Sequence, residues 1–383
     1  MKHAIIVTGL LLLVLTPTGA LASPKPDLTA AVYKVMEARA QAGLKPGNET
    51  RLDPLYDPRP GGGVTGPKLL AWEKARARHL QSWQAQAGVS IQKAGVAVIL
   101  RNVQVAGERA SVQVREHLRL RWQYRTRSGE NLTQMVYDHE MELYRVNGQW
   151  LVRQDAYVDT LFQSHLGPDH QTPRPLPVGR PDRPTFLTPS LIIPRRTESE
   201  GRYQPERAVA YATRWWDDFN PRYRSERDDC ANFISQALGD QEGGSAPHWP
   251  GEWNAAWYYD FQTSTGSRPW INADGLQRFL LHPPRGPDFA YGTVLAEGTL
   301  QQISSALGRL SPGDVITYAW PDQAGQNDGV YDHSTLVTAI DSGGAPLVTA
   351  HTHPVYNAPW HLGHLTDATR FKLIQMRQRF PLP

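Results

Sequence analysis

Between residues 163 and 200 the chain carries eight prolines in 38 positions, at 168, 173, 175, 177, 181, 184, 189 and 194. Proline lacks a backbone N–H and fixes φ near about −65°, so this stretch favours extended chain over helix or internal strand. It reads as a semi-rigid tether that divides the 383 residues into two folding units, residues 23–162 and 201–383. Length alone also suggests at least two domains.

The start of the chain has a different character. Lys2 and His3 precede an apolar run from Ala4 to Leu15, broken only by Thr8 and Gly9. Ala20-Leu21-Ala22 then supplies small residues at the −3 and −1 positions of a cleavage point. Residues 1–22 therefore read as a secretory signal peptide. The apolar run falls short of the ~20 residues that span a bilayer, and no later stretch is long enough. The expectation is a secreted or periplasmic protein with no transmembrane segment after cleavage. The net charge, 40 − 37 = +3, is too small to argue for a nucleic-acid partner. A single cysteine, Cys230, excludes an intrachain disulfide framework and a Cys-rich zinc module.

In the first unit, Leu28, Val32, Val35, Met36 and Ala40 recur at helical spacing over 27–44. A second helix is predicted over 67–87, with Leu69, Leu70, Trp72, Ala75 and Leu80 on its apolar side. The segment GGGVTGPK at 61–68 has Pro67 where a phosphate-binding loop needs lysine, so it reads as loop. The period then changes to two. Ala110, Val112, Val114, Leu118, Leu120, Trp122 and Tyr124 fall on even positions, with Glu116 breaking the set. Met135, Tyr137, His139, Met141 and Leu143 alternate on odd positions, and Asn147-Gly148 predicts a hairpin into 150–158. Two helices and an antiparallel sheet give a small α+β domain, similar in pattern to the cone-shaped fold of nuclear transport factor relatives. His139 is expected in its core or at its rim.

The second unit carries the chemistry. A helix is predicted over 207–219, and another after the N-cap candidate Asp229, with Phe233, Ile234, Ala237 and Leu238 as its apolar stripe. Cys230 then occupies the first turn, where the helix dipole favours thiolate. A buried, inert cysteine is the bland alternative. An oxidising compartment makes a spare thiol a liability, which favours the nucleophile. Strands are predicted at 315–318, 332–340 and 347–351, with Gly343-Gly344 as the turn. His333 stands at the entrance of one strand and His351 at the end of its partner, so both are expected at one edge of the sheet, facing the Cys230 helix.

The blocks D-C-A-N-F-I-S-Q at 229–236, P-G-D-V-I-T-Y at 312–318, D-H-S-T-L-V-T at 332–338 and A-H-T at 350–352 resemble the amidase domain of secreted bacterial proteins, within the wider papain-like set of cell-wall amidases and peptidases. The resemblance covers about 201–376. It implies an α+β papain-like domain with Cys230 as nucleophile, His333 as general base and then acid, and His351 as the orienting residue. It also implies an oxyanion site at the Cys230 N–H, supported by Asp229 and Tyr223, and a thioester acyl-enzyme. The implied substrate is peptide or peptidoglycan, and no cofactor or metal is called for. His353-Pro354 follows where relatives often carry Asn-Asp.

Substrate-facing candidates are Trp249, Trp253, Trp270 and Asp332. The bland reading of these tryptophans, with Trp257, is an aromatic stripe packed into the core. Two other functions stay open. His351, His353, His361 and His364, with Asp332 or His333, could hold zinc in a hydrolase. Alternatively, the second unit could be a catalytically inert amidase fold used as a binding module.

Overall fold

The computed structural model describes residues 26–61, 65–159, 202–321, 325–363 and 367–379. The expected signal peptide, the proline-rich tether and His364 lie outside the described residues. The first half contains α1 (Pro26–Ala42), a 3-10 segment at Asn48–Leu55 and α2 (Pro67–Gln86). Four strands follow: β1 (Val89–Ala106), β2 (Arg109–Tyr124), β3 (Asn131–Val146) and β4 (Gln149–Ala156). The second half contains α3 (Pro205–Trp215), α4 (Cys230–Gly239), the short strands β5 (Tyr259–Asp260) and β6 (Thr265–Gly266), α5 (Arg268–Ile271) and α6 (Ala273–Leu281). Then come β7 (Gly292–Gly298), α7 (Leu300–Ile303), β8 (Val315–Ala319), β9 (His333–Ile340), β10 (Pro346–Ala350), β11 (Val355–Pro359) and β12 (Arg370–Met376). The architecture is α+β: helices packed on antiparallel sheet. Among the described residues no helix is long and apolar enough to cross a membrane.

The α1 stripe is buried at every predicted position, Leu28, Val32, Val35, Met36 and Ala40. The even positions of β2 and the odd positions of β3 also face inward, because side chains alternate across a pleated strand. Asn147 and Gly148 both take positive φ, as the two-residue hairpin turn requires. The buried face of α2 differs from the expected one. It carries Glu73, Arg76 and Gln84 beside Leu69, Ala77 and Leu80, while Leu70, Trp72 and Ala75 are only partly buried.

Those charges explain why Glu116 breaks the β2 pattern yet still points inward. Arg39 contacts Glu73 and Asp155, each at 3.1 Å. His139 lies 2.9 Å from Asp155 and 3.2 Å from Glu116. Arg76 pairs with Asp159, and the Tyr157 hydroxyl donates to Glu73 at 2.9 Å. Buried charges survive when they are paired and hydrogen-bonded throughout, as these are. Burial pulls the His139 imidazole down, but Asp155 and Glu116 more than offset it and push its pKa up to about 9.

The two halves share one antiparallel sheet of ten strands, in the order β1-β2-β3-β11-β10-β9-β8-β12-β7, with β4 also on β3. The join is at β3, where Val355 pairs with Met135 and Tyr356 with Gln134. One apolar core runs across the seam, from Leu80, Trp122 and Tyr137 to Tyr318, Val348 and Phe371. A second core lies under α3, α4 and α6, and includes Phe233, Trp257, Trp270, Leu336 and Ile374.

Candidate active site

All ten residues of α4 are buried, including Asn232, Ser235 and Gln236. Each polar side chain has a partner that fixes the helix in place. The Trp270 indole donates to Asn232 Oδ1 at 3.0 Å, the Trp257 indole donates to Ser235 Oγ at 3.0 Å, and the Tyr211 hydroxyl donates to Gln236 Oε1 at 2.8 Å. The polar letters of the D-C-A-N-F-I-S-Q block are thus the sockets that seat a helix entirely inside the protein.

Cys230 is the first residue of this helix. Its sulfur lies 3.9 Å from the Asp332 carbonyl oxygen and receives the Ser334 N–H. The sulfur therefore rests on the main chain on either side of His333, the first residue of β9. The His333 ring is buried and stacks on Trp320, with centroids 5.2 Å apart and planes 20° apart.

The resting thiol is not the low-pKa thiolate expected from the helix start. Burial pushes Cys230 up to about 11, against the help of the Ser334 and Ala231 amides and the Thr352 hydroxyl. Desolvation of a charged sulfur outweighs the dipole here. The Cys230 N–H is also engaged: it donates to Thr352 Oγ1 at 3.0 Å.

Asp229 serves differently from the expected N-cap. Its carboxylate makes no cap bond to the helix. Oδ1 accepts from the Glu226 N–H at 2.9 Å and from Asn232 Nδ2 at 2.8 Å, while Oδ2 lies 2.7 Å from His351 Nδ1. His351 Nε2 lies 2.6 Å from the Trp215 carbonyl oxygen. Oxygen atoms thus face both ring nitrogens. The ring also stacks on Phe233, with centroids 3.9 Å apart. The ends of β9 and β10 therefore do converge on the start of α4, with His351 held by Asp229 and the chain around His333 held against Cys230.

Two groups of candidates are displaced. The Tyr223 hydroxyl donates to Asp240, the residue just past the far end of α4. Ten residues of helix rise separate it from Cys230, about 15 Å, so it supplies no oxyanion donor. Trp249 and Trp270 are core residues, 5% and 0% exposed, as the bland reading had it. Trp249 and Trp257 exchange backbone hydrogen bonds at 2.7 and 3.0 Å in an extended bridge instead of sharing a helix. Trp253 is 50% exposed and Asp332 is exposed, so both remain on the surface.

Beside Asp332 an open cleft of about 500 Å³ is lined by Asp274, Gln277, Arg278, Glu297, Tyr331 and Lys372. Partial desolvation of its carboxyl, with the nearby Asp328 and Asp274 carboxylates, raises the Asp332 pKa although the residue stays at the surface. Burial likewise pushes His353 down to about 4. Among the described residues no group of three or more His, Cys, Asp or Glu side chains is arranged to hold a metal ion.

Sequence reasoning did not single out Thr352, although it lies in the A-H-T block. Its φ of +73° is the structural mark that sets it apart.

Comparison with known proteins covers parts of the chain. An uncharacterized protein, YhbB, from Bacillus subtilis (strain 168) is 33% identical over 146 residues, which are 38% of this chain and 40% of the relative. The chain thus spans about two fifths of that relative's length. Among solved structures, the intermembrane space region of chloroplast protein ARC6 aligns with a TM-score of 0.27 at 15% identity, over 36% of this chain and 98% of that one. A "Putative Scytalone Dehydratase" from Novosphingobium aromaticivorans aligns with a TM-score of 0.21 at 14% identity, over 34% of this chain and 82% of that one. Residues 202–374, which contain Cys230, His333, His351 and every contact described around them, match a family described as "Putative amidase domain", an amidase-type hydrolase.

Proposed function

We propose that residues 202–374 form a cysteine-dependent amidase of papain-like type, secreted by way of residues 1–22, that cuts an amide bond in cell-wall peptide. The observation that carries this reading is the Cys230 sulfur at a helix start, resting on the Asp332 and Ser334 main chain around His333. The match to an amidase family over the same residues supports it.

In this reading His333 takes the thiol proton when substrate is bound, since a buried thiol at about 11 does not ionise alone at neutral pH. The sulfur bonds to the amide carbonyl carbon and the carbonyl electron pair moves to oxygen. The C–N bond then breaks, and the leaving amine takes the proton from His333. Water, deprotonated by His333, cleaves the thioester to carboxylate and restores the thiol. Asp229 and His351 act as positioning residues that fix the helix start. The cleft beside Asp332, which carries both acidic and basic groups, suits a peptide with charged side chains or ends.

The test is incubation of the wild type and Cys230→Ala with purified peptidoglycan, followed by mass analysis of released fragments. New amide-cleaved fragments from the wild type alone are expected. Identical fragment profiles would remove this activity.

A further inference from the structure

Thr352 is branched at Cβ yet holds φ at +73°, a left-handed conformation that such side chains rarely adopt. Strain of this kind persists only where neighbours over-determine it. Here they do. His351, one residue earlier, is fixed by Asp229 at 2.7 Å and by the Trp215 carbonyl at 2.6 Å. Pro354, two residues later, accepts the Val136 N–H of β3 at 3.0 Å. Between these anchors the Thr352 hydroxyl is presented to Cys230. Its oxygen accepts the Cys230 N–H at 3.0 Å, and the same hydroxyl lies within reach of the sulfur.

The N–H on the first residue of α4 belongs to the residue that carries the sulfur, at the end where backbone dipoles favour negative charge. An amide carbonyl attacked by that sulfur develops its charge within reach of the same donor. Preorganised donors at that position contribute much of the catalysis in acyl transfer. One N–H directed at Thr352 cannot serve both oxygens fully.

We propose that Thr352 is a positioning residue whose hydroxyl oxygen occupies, in the free protein, the place that the substrate's carbonyl oxygen takes during attack by Cys230. This rests on Cys230 being the nucleophile. Substrate binding exchanges one acceptor for another at the Cys230 N–H, and the strained backbone at 352 is the element that yields. The thiol is held in register until the exchange occurs.

The experiment compares two small electrophiles on the full chain. p-Nitrophenyl acetate transfers its acetyl group to a thiol through an oxyanion and releases p-nitrophenolate. Iodoacetamide alkylates the same thiol with loss of iodide and forms no oxyanion. The ratio of the two rates at Cys230 isolates the oxyanion donor from general exposure of the sulfur. Thr352→Gly removes the hydroxyl and suits the positive φ, and Thr352→Ala also removes the hydroxyl. Each should raise the ratio about three- to tenfold, the worth of one freed hydrogen bond. Thr352→Ser keeps the hydroxyl and should hold the ratio within about twofold of the wild type. An unchanged ratio in folded Thr352→Gly and Thr352→Ala overturns the inference while leaving a cysteine-dependent amidase intact. A wild type and Thr352→Gly that are both alkylated but never acylated remove the amidase reading, and this inference with it.

Discussion

Truncating Asp229 should cost the protein more than any other single change next to the sulfur. The carboxylate is 1% exposed and satisfies three donors: the Glu226 N–H at 2.9 Å, Asn232 Nδ2 at 2.8 Å and His351 Nδ1 at 2.7 Å. Asp229→Ala strips all three of their acceptor, one of them on the His351 ring, which is 4% exposed. A buried donor left unmatched costs about 1–3 kcal/mol. Three such losses overlap, so the expected loss of stability is about 3–5 kcal/mol. His351→Ala should cost less, because Asp229 keeps its other two donors. The decisive measurement is a double-mutant cycle by urea unfolding. Coupling between the two positions should reach about 1.5–3 kcal/mol, well beyond the ~0.5 kcal/mol within which independent sites add. Additive losses would show that the 2.7 Å contact is not an energetic unit, and would refute the argument that this pair fastens the helix start to the sheet.

Two further outcomes follow from the first half and from the tryptophans. His139 is raised to about 9 in the folded protein against an ordinary value near 6.5, so the fold binds its proton more tightly than the unfolded chain does. That contribution, on the order of 3 kcal/mol, is fully present below pH ~6.5 and is lost as pH rises through about 9. The urea midpoint of the wild type, measured against that of His139→Gln, should converge across this window; a constant gap from pH 6 to 9.5 would contradict the buried network. Trp257→Ala removes a fully buried ring stacked on Phe279 and should destabilise by about 3–5 kcal/mol, whereas Trp253→Ala, at a half-exposed ring, should cost about 1 kcal/mol or less by the same unfolding assay. The reverse ranking would sink the assignment of core and surface.

What could be read from the residues had short range. Helical and strand periods located α1, β2, β3, α4 and the β9–β10 hairpin, because each depends only on neighbours along the chain. β1 escaped notice, since its alternation is interrupted by register shifts between Ile91 and Lys93 and between Arg101 and Gln104. Glu116 stands in the sequence as a break in the β2 pattern, and Glu73 and Arg76 lie outside the expected apolar set of α2; all three are buried because their partners, Arg39, His139, Asp155 and Asp159, arrive from distant segments. The same limit applies at the site. The convergence of the α4 start with the chain around His333 and with His351 is legible from a helix start and two strand ends. The ionisation of Cys230 did not, because it depends on how deeply α4 sinks into the protein. The partner of Asp229 and the conformation of Thr352 also required the packed loop between β10 and β11.

The position of β12 decides how the second half holds together. Residues 370–376 do not extend the sheet at its margin; they fill a slot, with β8 on one side and β7 on the other. Without residues 370–376, one edge of β8 and one edge of β7 are left bare and face an empty groove. Only with that segment in the groove do β8 and β7 belong to one surface. The segment is, in that sense, the keystone of the second half, and chains truncated before it should be sticky substances for chaperones and proteases.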